Sequence, residues 1–129
     1  MQPRKRQILC VDDDEDTCVM LVHLLARENY EVKVAKSVSE ALQIARNESF
    51  NLYILDEWFP REAGIGLCRK IREFDPHTPV VFYSGAALES EKQEALYAGA
   101  QAFVAKPYVE ELVETVHSLL GDRQESSAP

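Results

Sequence analysis

The chain has 129 residues, is 46% hydrophobic and 28% charged, and carries a formal net charge of -8. That length suits one domain with a real core, and that balance belongs to a globular chain rather than a disordered one. The acidic balance argues against a nucleic-acid-binding surface, because the one basic cluster, Arg4-Lys5-Arg6, is short and terminal.

No apolar run is long enough to span a membrane. The N-terminus reaches acid after four apolar positions, so it does not read as a signal peptide, and a cytoplasmic chain is expected. Cys10, Cys18 and Cys68 are odd in number and lack C-x-x-C spacing. Each lies in an apolar pattern, so buried, reduced thiols are expected rather than disulfides or zinc ligands.

The first element is "QILCV", a short apolar run of strand length. It runs into five acidic residues, Asp12, Asp13, Asp14, Glu15 and Asp16. From Glu15 to Glu28, Leu21, Leu24 and Leu25 keep helical spacing. "YEVKVA" alternates Tyr30, Val32 and Val34 with charge, as an edge strand with one polar face would. "SVSEALQIARNES" opens with Ser37 and Glu40 at capping-box spacing and repeats Val38, Ala41, Leu42 and Ala45.

"LYIL" is a second apolar run and ends at Asp56. Leu67, Cys68, Ile71 and Phe74 form a helical stripe from Ile65 to Phe74. "PVVFY" is a third apolar run and ends at Ser84. Residues from about Leu88 to Ala98 predict a helix stopped by Gly99. "QAFVA" predicts a strand ending at Lys106-Pro107, and Leu112, Val113, Val116, Leu119 and Leu120 line a last helix stopped by Gly121. "DRQESSAP" reads as a disordered tail.

Five βα units in succession predict an α/β domain, a doubly wound parallel sheet with helices on both faces. "ILCV", "LYIL" and "PVVFY" are apolar on both faces, as central parallel strands must be. With right-handed crossovers, the strand order 2-1-3-4-5 puts the half-polar second strand at an edge. The first and third strands then meet at the switch point, where open α/β sheets bind ligands.

The strand endings share one rim. They are Asp12-Asp13, Asp56, Ser84 and Lys106. Neighbouring strands lie about 4.8 Å apart, so Asp12, Asp13 and Asp56 should converge. Three ionised carboxylates at that range need a proton or a cation between them. An oxygen-only open site favours Mg2+. Lys106 adds a fixed positive charge and Ser84 a hydroxyl donor. These are the parts required for phosphoryl transfer onto Asp56.

Rival readings of the acidic run fare worse. Asp12-x-Asp14-x-Asp16 copies the opening of a calcium loop, but Thr17 and His23 stand where that loop needs Gly and Glu. The opening also resembles that of haloacid-dehalogenase-type phosphatases, yet the chain offers no later acidic pair at the expected place. Helix capping accounts for Asp14, Glu15 and Asp16, but not for Asp12 and Asp13, which finish the strand. His23, His77 and His117 are scattered, and surface roles are expected for them.

"ILCVDDDED", "LYILDEWFP" with Pro60 four residues after Asp56, "PVVFYSG" and "ALYAGAQAFVAKP" occur in order and without an apparent insertion. Over roughly residues 7 to 120 the chain resembles the receiver domain of bacterial two-component response regulators, the chemotaxis receiver among them. The resemblance implies a flavodoxin-like (βα)5 domain over 7–120, with 1–6 an N-terminal extension and 121–129 the tail. It implies phosphorylation of Asp56 by a histidine kinase or phosphotransfer protein. Asp13 would be a direct Mg2+ ligand, Asp12 a ligand mainly through water, and the Trp58 backbone carbonyl the third protein ligand. Ser84 and Lys106 would contact the phosphoryl group, and the Lys106-Pro107 bond would be cis.

Phe103 occupies the family's aromatic switch position. The implied output surface is the face of the fourth helix, fifth strand and fifth helix, toward a downstream protein or a homodimer partner. The resemblance makes this a signalling phosphoacceptor rather than an enzyme with turnover. The alternative is a receiver-like interaction module that is not phosphorylated, and the full set of Asp12, Asp13, Asp56, Ser84 and Lys106 argues against it.

The chain departs from the family's common pattern at Ser84, where Thr is more frequent, and at Arg61-Glu62-Ala63-Gly64, where Gly-x-Asp-Gly is common. Gly66 should weaken its helix by about 1 kcal/mol. Trp58 and Ala86 occupy the two positions that in receivers help or hinder hydrolytic water, and neither can orient a water well. Slow self-dephosphorylation is therefore expected. Trp58→Asn combined with Ala86→Glu should speed loss of an acyl phosphate in a decay assay, and an unchanged decay would count against this reading.

Overall fold

The computed structural model describes residues 5–56, 64–85 and 89–122. Strands β1 (Arg6–Val11), β2 (Tyr30–Ala35), β3 (Leu52–Leu55), β4 (Val80–Ser84) and β5 (Ala102–Ala105) alternate with helices α1 (Glu15–Arg27), α2 (Val38–Asn47), α3 (Gly64–Phe74), α4 (Glu89–Tyr97) and α5 (Val109–Leu120). All pairings are parallel, and the order is β2-β1-β3-β4-β5. This is the predicted doubly wound (βα)5 fold with β2 at an edge.

The apolar runs account for the order. Ile8–Val11 and all of β3 and β4 are buried, whereas Glu31 and Lys33 of β2 are exposed. Alternation along the strands feeds two cores. Leu9, Val11, Tyr53, Leu55, Val80 and Phe82 pack with residues of α2, α3 and α4. Ile8, Cys10, Leu52, Ile54, Val81, Tyr83 and Val104 pack with Leu21 and Leu25 of α1 and with Leu112, Val116 and Leu120 of α5. All three cysteines are free and buried, as expected.

Local signals set the helix ends. The Asp14 carboxylate accepts from the Thr17 amide (3.0 Å) and from its hydroxyl (2.6 Å), and these hydrogen bonds hold its pKa below the usual value. Ser37 caps α2 by accepting from the Glu40 amide at 3.1 Å, while Glu40 reaches back to the Lys36 amide at 2.9 Å. That is one residue before the cap, a small variation on the expected box. Gly121 ends α5 at φ 72. Gly99 turns the chain into β5 at φ 113, where a Cβ would lie 2.9 Å from Arg72 Nε. Arg72 donates to the Gly99 carbonyl (2.8 Å), so the glycine and the arginine hold α3 against the α4–β5 turn.

Two expectations need correction. Phe74 is not part of the buried stripe of α3: it is 38% exposed, with the Arg46 guanidinium 5.4 Å from its ring centre. His117 is not a surface residue. Its side chain is 13% exposed, with Nδ1 2.8 Å from the Tyr30 hydroxyl and Nε2 2.7 Å from Glu28. Sequence periodicity cannot show this, because the partners come from β2 and the end of α1.

A Cβ at Gly66 would meet nothing within 4 Å. Gly66→Ala should therefore stabilise the protein by about 0.5–1 kcal/mol through helix propensity, read as a higher urea midpoint. A loss of stability would show that α3 needs glycine there.

Candidate functional site

Strand register builds the site. Val11 and Leu55 are partners on β1 and β3, and the Asp56 amide donates to the Val11 carbonyl at 3.0 Å. The next residues, Asp12 and Asp56, therefore leave the sheet side by side. One carboxylate oxygen each of Asp12, Asp13 and Asp56 lies within 4.8 Å of the others. Asp12 and Asp56 are buried, at 2% and 5% exposure, and Asp13 is exposed.

Asp12 is held from several sides. Its amide donates to the Ala35 carbonyl of β2 (3.1 Å), and the Cys18 thiol donates to its carbonyl (3.2 Å). Its Oδ1 accepts from the Asp14 amide at 2.9 Å, which leaves Oδ2 for Lys106.

Lys106 arrives from β5, where its amide donates to the Ser84 carbonyl at 2.9 Å. The Lys106-Pro107 peptide is cis, as expected. The ammonium lies 2.9 Å from Asp12 and 3.5 Å from Asp56. Burial alone would lower the lysine pKa, but the hydrogen bond to Asp12 and the charge of Asp56 outweigh burial and raise it. The lysine is therefore charged at neutral pH. Ser84 ends β4 on the same rim and is fully buried.

Thus Asp12, Asp13, Asp56 and Lys106 are brought together, with Ser84 at the adjoining strand end. An oxygen-only donor set with one exposed member fits a hard divalent cation. Phe103 is half-buried and stacks on Phe82, with ring centroids 6.1 Å apart and planes 8° apart. Trp58, the segment from Phe59 to Ala63 and Ala86 lie outside the described residues. So does the 123–129 part of the expected tail, whereas Asp122 pairs with Arg6 at 3.1 Å.

The Response regulator receiver domain family matches residues 8–117. The chain belongs to this family. The uncharacterized transcriptional regulatory protein YrkP of Bacillus subtilis (strain 168) is 39% identical over 105 residues, which are 81% of this chain and 45% of that protein. The receiver spans about half the length of the curated relatives it matches. Among solved structures, a CheY-like response regulator receiver domain protein from Methanospirillum hungatei JF-1 superposes with a TM-score of 0.87 at 30% identity, covering 96% of this chain and 100% of that one. Response regulator TrrA from Thermotoga maritima, solved in complex with Mg(2+)-BeF, gives a TM-score of 0.80 at 28% identity, covering 88% and 98%.

This chain is therefore a receiver domain of two-component response regulators. Among its described residues, no helix is long and apolar enough to cross a membrane.

Sequence reasoning missed one neighbour of the site, Tyr83, whose ring centre lies 5.8 Å from the Lys106 ammonium. In sequence it reads only as the last apolar residue of a buried strand.

Lys106 pairs with two buried carboxylates. Lys106→Met should lower stability by about 2 kcal/mol in EDTA, as an uncompensated buried charge does when partly open to solvent, and added Mg2+ should recover part of the loss. Equal urea midpoints for wild type and variant in EDTA would contradict this charge balance.

Proposed function

We propose that this receiver accepts a phosphoryl group on Asp56 from a histidine kinase or phosphotransfer protein, with Mg2+ as cofactor. The observation that carries the reading is the convergence of Asp12, Asp13 and Asp56 within 4.8 Å, with Lys106 on two of them. A structural ion pair needs only one carboxylate. Among the described residues, three clustered carboxylates face one lysine that pairs with two of them, an excess of negative charge that suits a cation.

Mg2+ held by Asp13, Asp56 and the Trp58 carbonyl, with Asp12 mainly through water, would supply positive charge against the phosphoryl oxygens. An Asp56 carboxylate oxygen would form the new bond to phosphorus as the P–N bond of the donor phosphohistidine breaks. The Lys106 ammonium would pass from the Asp56 carboxylate to a phosphoryl oxygen. Its pairing with Asp12 keeps it within reach before and after transfer. The Ser84 hydroxyl would donate to another phosphoryl oxygen. One modification per molecule, rather than turnover, is the expected outcome.

The signal would leave through Phe103. Drawing Ser84 toward the phosphoryl group would alter the space beside β5, and the Phe103 ring, now stacked on Phe82, would change place. The face of α4, β5 and α5 would meet a downstream protein or a second copy of the chain; Leu96 and Tyr97 of α4 and Tyr108, just before α5, are exposed large side chains. Residues 7–120 would act as the receiver unit in the cytoplasm, flanked by 1–6 and 121–129.

Incubation with Mg2+ and a small phosphodonor, read by intact mass, tests the reading. One phosphoryl group should add to wild type and to Asp16→Ala, and none to Asp56→Asn or Asp13→Ala. No adduct on wild type from any donor, a cognate kinase included, would favour an interaction module that is not phosphorylated.

A further inference from the structure

Lys106 directly follows β5, yet its charge sits on carboxylates that directly follow β1 and β3. The order β1-β3-β4-β5 puts three strand spacings, about 14 Å, between the backbones of Lys106 and Asp12. The lysine must therefore cross β4. Val104 belongs to the core beneath α1 and α5, and Lys106, two residues on, projects toward the same side. Ile8, Cys10, Leu52 and Ile54 share that core, so Asp12 and Asp56 continue the same rows. The β4 residue on that side is Tyr83, not Ser84. Leu55 pairs with Phe82, so Tyr83 comes level with Asp56.

We propose that Tyr83 is a positioning residue for Lys106, its ring forming the floor over which the lysine crosses β4 to reach Asp12 and Asp56. This deepens the phospho-acceptor reading and rests on it. The ammonium is 5.8 Å from the ring centre, inside the range of cation–π attraction. The ring is itself fixed, because Tyr83 is 2% exposed and packed among the side chains of that core. Burial pushes its hydroxyl pKa up, so Lys106 faces a neutral ring rather than a phenolate. When Asp56 carries a phosphoryl group, the lysine must shift its charge by a short distance without swinging into solvent, and a rigid π face below it confines that motion.

Tyr83→Phe keeps the ring and Tyr83→Leu keeps only apolar bulk, so the pair separates positioning from core filling. Thermal midpoints confirm that both variants are folded. The first readout needs neither Mg2+ nor phosphodonor: carbon-resolved proton NMR of the Lys106 ε-methylene. The resonance should lie upfield from the ring current in wild type, stay there in Tyr83→Phe and return to the ordinary lysine position in Tyr83→Leu.

The second readout is the rate of phosphorylation by a small donor. It should fall roughly three- to tenfold in Tyr83→Leu, recover in Tyr83→Phe, and show no further fall when Tyr83→Leu is added to Lys106→Met. An unshifted wild-type methylene, equal rates for the Leu and Phe variants, or the same fall in the Lys106→Met background would each overturn the proposal. If wild type takes no phosphoryl group, the phospho-acceptor reading fails, and the NMR comparison still decides whether Tyr83 holds Lys106.

Discussion

Repulsion among Asp12, Asp13 and Asp56 is the constraint on which the rest of the rim depends. Two unit charges about 4–5 Å apart cost about 3–4 kcal/mol at an effective dielectric constant of ~20. Three such pairs approach the whole stability of an ordinary domain, about 5–15 kcal/mol. The fold meets this cost in two ways. It fixes Asp12 through the Asp14 amide and the Ala35 carbonyl, and it brings Lys106 across from β5 to lie on two of the carboxylates. Among the described residues, one lysine against three carboxylates leaves the balance negative, and a bound cation would offset that residual charge.

The two ends of the sheet are built differently. At the amino ends of the strands, polar groups are closed into pairs. Arg6 joins Asp122, Tyr30 and Glu28 flank His117, and Arg72 ties the Asp75 carbonyl to the Gly99 carbonyl and Gln101. Gln101 in turn accepts from the Val80 amide at 2.7 Å, and Asp75 accepts from Tyr53 and Thr78. These contacts lock helix ends to strand starts. At the carboxyl ends the charges are gathered rather than cancelled. A braced end and a charged end would suit the proposed phospho-acceptor, whose changes are confined to one rim.

Much of this was legible in the sequence because it follows from local patterns repeated along the chain. Runs apolar on both faces mark β1, β3 and β4 as central, the Glu31 and Lys33 alternation marks β2 as an edge, and Ser37 with Glu40 marks the start of α2. Asp12, Asp13, Asp56, Ser84 and Lys106 were readable as a set because each ends a strand and all parallel strands end on one rim. What escaped depends on partners distant in sequence. Phe74 keeps helical spacing but emerges beside Arg46 of α2. His117 looks solitary until α5 docks against Tyr30 and Glu28. Tyr83 reads as one more apolar position, and only the β4 alternation together with the long reach of Lys106 reveals its second contact.

The account stands or falls on whether the acidic rim binds a divalent cation through the residues named. Calorimetric titration of Mg2+ into the metal-free protein tests this without any phosphodonor. The account predicts a single saturable site in wild type, lost in Asp13→Ala and retained in Asp16→Ala. Binding of equal strength in Asp13→Ala, or no saturable binding in wild type, would contradict it.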